Sequence, residues 1–225
     1  MKNYINKKNN QNKKKTKIII LLIILFAIYI YFSAYSYVKA VSSGLSNNVF
    51  RLHIIANSNS VDDQNLKYLT RDALIEYMNT ICESCSSKEE VISIAKEHLH
   101  DFKKIAEKII KDNGYSYPVQ VEIGNFEFPT KTYGDISFPS GYYDALKVKI
   151  GQSSGKNWWC VMFPPLCFVN PSTGILSSES KETLKQNLSN EEYLIISNSD
   201  KNEYNFKFKI IEFFEFAGLI TAKND

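Results

Sequence analysis

Residues 157–170 read NWWCVMFPPLCFVN. Both tryptophans of the chain stand there side by side, with two of its four cysteines and the pair Pro164-Pro165. The run 158–163 alternates poorly between apolar and polar, so it reads as a strand covered on both faces. Proline donates no ladder hydrogen bond, so Pro164 and Pro165 must end that strand. Large aromatics contribute most when buried. The segment is therefore expected as the central core strand and its following turn.

What its cysteines do depends on the compartment. Residues 1–17 hold seven lysines and no acid. Residues 18–32 then run IIILLIILFAIYIYF without a strong polar group. Lysines before such a run, and no charge within it, mark a membrane-directed segment with a cytoplasmic N-terminus. Val38-Lys39-Ala40 places small residues where a signal peptide is cut. Left uncut, residues 18–38 at ~1.5 Å per residue reach about 30 Å, enough to span. Cleaved or anchored, residues 41–225 end up beyond the membrane. The net charge of +3 is carried by the arm. Eight of the 27 basic groups lie in residues 1–40 and all 24 acids lie beyond them, so residues 41–225 carry a formal −5. That body gives no reason to expect nucleic acid.

Outside the cytoplasm disulfides persist. For Cys160 and Cys167 a local disulfide ranks first, since the Pro164-Pro165 turn can bring the two Cα atoms within the required ~4.4–6.8 Å. Two free buried thiols rank second. A four-thiolate zinc site with Cys82 and Cys85 ranks third, because six residues separate the second pair and structural zinc sites use shorter spacings.

Taken in order, residues 41–48 (VSSGLSNN) read as a short tether. VFRLHIIA over 49–56 alternates as a strand. NSNS over 57–60 is a turn, and Ser60 or Asp62 can cap a helix over 62–79. Asp63, Lys67 and Arg71 stand four apart on that helix, an acid-before-base ladder. Ser87 to Glu90 resembles a capping box opening one long helix to about residue 112, which Asn113-Gly114 closes. PVQVEIG (118–124) is a strand, and FEFPTKTY (126–133) continues the sheet with a break at Pro129. YYDALKVKI (142–150) is another strand, with residues 156–163 as its hairpin partner across a glycine-serine turn. Residues 177–204 are polar and read as mobile, apart from a short helix near 181–188. Residues 206–219 favour a C-terminal helix packed on the domain, with a strand as the alternative. The expected fold is α+β: two N-terminal-half helices packed on a mainly antiparallel sheet, preceded by the membrane-directed segment. The exported domain is residues 49–225.

No phosphate loop, zinc-protease helix or nucleophile elbow is present. The acids Asp62-Asp63 suit a helix start, and His98-x-His100 does not put two rings on one helix face. A Cys/His nucleophilic pair would need His53 beside Cys160 or Cys167. The polar features that structure alone explains least are Arg51, His53, Asn57, Ser58, Asp63 and Gln64, where the first strand meets the helix, and FPTKTYG over 128–134. Local capping explains the first group about as well as recognition does.

Three strings carry a resemblance: FRLHIIANSNSVDDQNLK (50–67), FPTKTYG with FPSGYYDALKVKIG (128–151), and GKNWWCVMFPPLCFV (155–169). With the helices between them they cover residues 48–170. The chain resembles the stage II sporulation protein R family of endospore-forming Firmicutes. The lysine arm, Cys82 and Cys85 and residues 177–204 are not part of that pattern. The resemblance implies an exported signalling protein rather than an enzyme. Such proteins pass from the forespore into the space before the mother cell. There they are needed to activate a membrane-embedded aspartic protease that cleaves pro-sigma-E. It implies no catalytic residue, cofactor, metal or small-molecule substrate. On this reading the expected partner contacts are Arg51, His53, Asn57, Asp63, Gln64, Lys131, Tyr133 and Trp158. The alternative is an exported Cys/His hydrolase acting in the intermembrane or wall space.

Overall fold

The computed structural model describes residues 2–167 and 178–197. The chain divides into two compact units, Met1–Ala40 and Val41–Asp225. Helix α1 (Lys2–Asn48) fills the first unit and ends in the second. Its stretch Lys14–Ser33 has a mean hydropathy of 2.3 and is long and apolar enough to cross a membrane. Such a helix near the N-terminus also suits a signal peptide.

The second unit begins inside α1. Residues 41–48, expected as a tether, are the last turns of that helix. Leu45 and Val49, four apart, are both buried. Lys88 Nζ donates to Ser46 O at 2.7 Å, and a Cβ on Gly44 would collide with the Glu192 carboxylate.

Strand β1 (Phe50–Ile55) follows, then helix α2 (Val61–Ile81). Ser60 caps α2 by accepting from Asp63 N, as the turn NSNS predicts. The single long helix expected to residue 112 is two helices, α3 (Lys88–Glu97) and α4 (Leu99–Asp112). The break falls at His98, whose Nδ1 lies 2.8 Å from Tyr77 Oη and 3.0 Å from Asp101 Oδ2. That polar tie to α2, rather than a glycine or proline, marks the break. The strands β2 (Val119–Phe128), β3 (Lys131–Tyr133), β4 (Ile136–Phe138), β5 (Gly141–Ile150) and β6 (Asn157–Phe163) complete the sheet region.

The main sheet has the order β2-β5-β1-β6, and β3-β4 form a separate two-stranded ribbon. β1 runs parallel to β5 and antiparallel to β6, and β2 runs antiparallel to β5. The fold is α+β with a mainly antiparallel sheet, as expected. The hairpin expected between β5 and β6 is not formed, because β1 lies between them. The Gly151–Gly155 turn instead straddles the end of β1. Gly155 N donates to Ala56 O at 3.0 Å and Ser154 N to Asn57 O at 3.1 Å.

Residues in register share a face of the sheet. Leu52 and Ile54 of β1 lie with Leu146 and Val148 of β5 and with Cys160 and Trp158 of β6. This face meets the helices: Arg71 of α2 sits over the Trp158 ring at 4.3 Å. Phe50, Leu52 and Ile54 are fully buried, each contributing about 1.5–3 kcal/mol. Arg51 and His53 lie on the opposite face, with Ala145, Lys147, Val161 and Trp159.

Within residues 177–204, helices α5 (Ser178–Asn187) and α6 (Asn190–Ile196) are present. A capping box of Ser189 and Glu192 starts α6, and Leu184, Leu188 and Ile196 are buried. The helix expected over 206–219 lies outside the described residues.

Candidate functional site

Arg51 is completely buried, on the sheet face away from α2. Its guanidinium carbon stands 4.1 Å from the Phe128 ring, 4.7 Å from Tyr143 and 5.7 Å from Phe138. β2 brings Phe128, β5 brings Tyr143 and the β3–β4 ribbon brings Phe138. Nη2 donates to Tyr133 Oη at 3.0 Å, and Tyr133 Oη donates onward to Trp159 O at 3.1 Å. Nε and Nη1 have no acceptor. Among the described residues Arg51 forms no ion pair. Among the described residues the Arg51 guanidinium is thus a buried cation without a compensating carboxylate.

His53 follows on the same face. It is 5% exposed and stacks on Trp159 with centroids 3.6 Å apart and planes 16° apart. Its Nε2 lies 2.9 Å from Asn157 Oδ1, which accepts a proton held on Nε2. Nδ1 is buried without a partner. Burial drives the His53 pKa down from 6.5 to about 4; the Asn157 bond opposes this, and Lys147, Lys149 and Arg51 add to it. The ring is therefore neutral at physiological pH. Lys147 covers the Phe126 ring at 4.4 Å, and Lys149 pairs with Glu122 at 2.9 Å.

The β3–β4 ribbon lies over this cage. It has three paired positions, Lys131 with Phe138, Thr132 with Ser137 and Tyr133 with Ile136. Ile136 bridges to Ser197, and Lys181 of α5 pairs with Asp135 at 2.7 Å.

A second polar cluster closes the turn from β1 to α2. Asn57 Nδ2 and Ser58 Oγ both donate to Asp63 Oδ2. Asn57 Oδ1 accepts from Gln152 N at 2.9 Å. Gln64 Nε2 donates to Ser58 O at 2.8 Å, and Lys67 Nζ reaches Gln64 Oε1 at 2.7 Å and Lys156 O at 3.1 Å. Burial raises the Asp63 pKa, but the bonds from Ser58 and Asn57 outweigh it and hold the carboxyl below its ordinary value. The Asp63–Lys67–Arg71 ladder expected on α2 is not formed. Asp63 and Lys67 are committed to this cluster, and Arg71 pairs with Asp72 at 2.6 Å.

The expected partner contacts thus fall in three places. Arg51, His53 and Tyr133 converge in the cage, with almost no exposed surface. Asn57, Asp63 and Gln64 form the turn cluster, where Asp63 is 4% exposed and the other two are half-buried. Trp158 packs on the helix side against Tyr68 and Arg71, and Lys131 is half-buried on the ribbon. Of the cage rings, Phe128 opens the string FPTKTYG singled out in the sequence, whereas Phe138, Tyr143 and Trp159 are not among the expected contacts. The alternation of 143–149 carries the missing signal for the strand: Tyr143, Ala145, Lys147 and Lys149 share one phase.

Cys160 and Cys167 form a disulfide with Cα atoms 5.3 Å apart. A second disulfide joins Cys82 and Cys85. Cys160 is in register with Leu52 and His53 with Trp159, so Cys160 and His53 face opposite sides of the sheet. No group of three or more metal-ligating side chains occurs among the described residues.

The family model for stage II sporulation protein R matches residues 46–173. The chain belongs to the stage II sporulation protein R family. It is 37% identical over 144 residues to Stage II sporulation protein R of Bacillus subtilis (strain 168), a match covering 63% of this chain and 64% of that protein. The chain therefore spans less than two thirds of the length of that curated relative. No solved structure matches. The family region runs from the end of α1 past β6 and takes in the arginine cage, the ribbon, the turn cluster and the Cys160–Cys167 disulfide.

Proposed function

We propose that this chain is an exported signalling protein of endospore formation. It is made in the forespore and passes into the space between forespore and mother cell. There it activates a membrane-embedded aspartic protease of the mother cell, which processes pro-sigma-E. The observation that carries this reading is the family match over residues 46–173. The lysine-rich arm of residues 1–17 and the apolar stretch Lys14–Ser33 agree with export, as signal peptide or anchor over residues 18–40.

An activator must bind the active state of its target more tightly than the inactive state. That calls for a surface, not a nucleophile. The Cys/His dyad of the alternative reading is not assembled: Cys160 is bonded to Cys167, and His53 lies across the sheet from it.

The test is done in a sporulating host that lacks its own copy of this gene. The full chain, residues 41–225 alone, and residues 41–225 behind a fresh export signal are each expressed in the forespore. Pro-sigma-E processing is expected from the first and third and not from the second. Processing by the unexported body would overturn the reading.

A further inference from the structure

The feature that folding alone explains least is the pair of unpartnered N–H groups on Arg51. Aromatic rings stabilise the faces of a guanidinium. A ring is at most a weak acceptor for an N–H group, and a buried donor without a full acceptor is destabilising. A buried cation without a partner adds a desolvation penalty. The chain could have used its common cation here. Among its 27 lysines and arginines only Arg51 and Arg71 are arginine. A fork of donors, not a point charge, occupies the site.

We propose that Arg51 is a receiver for a carboxylate, presented by an acidic side chain of the partner protein when the β3–β4 ribbon swings off the sheet. The proposal rests on the reading of this domain as a protein-binding ligand. Each forked edge of a guanidinium includes an Nη atom shared with the other edge, and here that atom is Nη2, bonded to Tyr133. A carboxylate taking the place of the Tyr133 hydroxyl gains two N–H bonds where the hydroxyl has one. Such charge-assisted pairs are the stronger kind. The cover suits the exchange. A three-position two-stranded ribbon outside the main sheet is marginal by itself; the Tyr133 hydroxyl joins it to Arg51 and Trp159, and its release also opens the Ile136–Ser197 bridge and the Lys181–Asp135 pair and uncovers the buried Ile136, Ser137 and Phe138. Lys147 and Lys149 on the same face add positive potential, part of it offset by Glu122.

The test uses the full chain in zwitterionic detergent. Thermal unfolding is followed in potassium chloride and, at equal ionic strength, in potassium acetate or in the potassium salt of N-acetyl-aspartate N-methylamide. Wild type should gain about 2–4 °C in both carboxylates, and Arg51→Met should gain nothing. In chloride, Arg51→Met should unfold no earlier than wild type, because an apolar residue replaces an unpaired buried charge. Equal gains in the two proteins would overturn the proposal, as would a less stable or unfolded Arg51→Met in chloride. A gain with acetate but none with the blocked aspartate would overturn the protein source of the carboxylate. A second readout keeps the wild-type chain: 15N-arginine labelling gives Nε–H signals for Arg51 and Arg71 only. Acetate should move the Arg51 signal and leave Arg71 in place; an unmoved Arg51 signal refutes the site. None of these readouts involves the protease, so their failure leaves the activator reading standing.

Discussion

His53 of β1 and Trp159 of β6 stack in register, their ring centroids 3.6 Å apart. The stack seals one side of the arginine cage with a neutral imidazole. Its pKa is about 4 in the folded protein against 6.5 as the ordinary value. The folded state therefore binds fewer protons than the unfolded state between those values. Stability is full above pH 6.5 and falls as the pH drops toward 4, by up to about 1.4 kcal/mol per pH unit. His53→Phe keeps an aromatic on Trp159 and cannot titrate. Its unfolding midpoint should decline less between pH 6.5 and 4 than that of wild type. Parallel curves for the two proteins would remove His53 as the cause.

Gly155 fixes the crossing of the β5–β6 connection over β1. A Cβ there would collide with Ser58 O, a backbone atom. Gly155→Ala should destabilise the domain by about 1–3 kcal/mol. Gly114 offers the contrast: its φ is +86° with nothing within 4 Å, so Gly114→Ala carries backbone strain alone, about 1 kcal/mol. Thermal unfolding of the two variants ranks them, and a smaller loss at Gly155 would contradict the crossing.

Asp63 holds the turn cluster together. Asp63→Ala strands the Asn57 amide and the Ser58 hydroxyl and should cost about 2–3 kcal/mol. Asp62→Ala, at an exposed neighbour, should cost far less. The Asp63 carboxyl titrates below its ordinary value in the fold, so its contribution is present above that value and lost as the pH falls through the folded one. Denaturant unfolding at pH 7 checks the comparison.

The Cys160–Cys167 disulfide closes a short loop, with a sequence separation of 7. Cys160→Ser and Cys167→Ser should each lose about 2–3 kcal/mol. The double variant should lose no more than either single one, because one bond is removed in all three. Additive losses would mean that the two side chains act separately.

Much of the fold is legible in the sequence because its signals are local. The alternation of 49–56, the Ser60 cap and the Asn113-Gly114 stop each depend on neighbours a few residues away. The hairpin expected between β5 and β6 shows where local reading ends. Gly151 to Gly155 has the composition of a hairpin turn, yet β1, about a hundred residues earlier in sequence, takes the place between the strands. The turn is shaped by the backbone of Ala56 and Asn57, which no nearby residue announces. The break at His98 is similar, since its partner Tyr77 belongs to another helix. Arg51 and His53 are legible as unusual polar residues within a strand. Their cage is not, because Phe128, Phe138, Tyr143 and Trp159 come from four different strands.

The most direct measurement is reconstitution in a non-sporulating host. Residues 41–225, behind a fresh export signal, are co-expressed with the membrane protease and pro-sigma-E, and processing is followed by immunoblot. Processing is expected to depend on both this chain and the protease. A folded, exported body that leaves pro-sigma-E intact would contradict the activator reading.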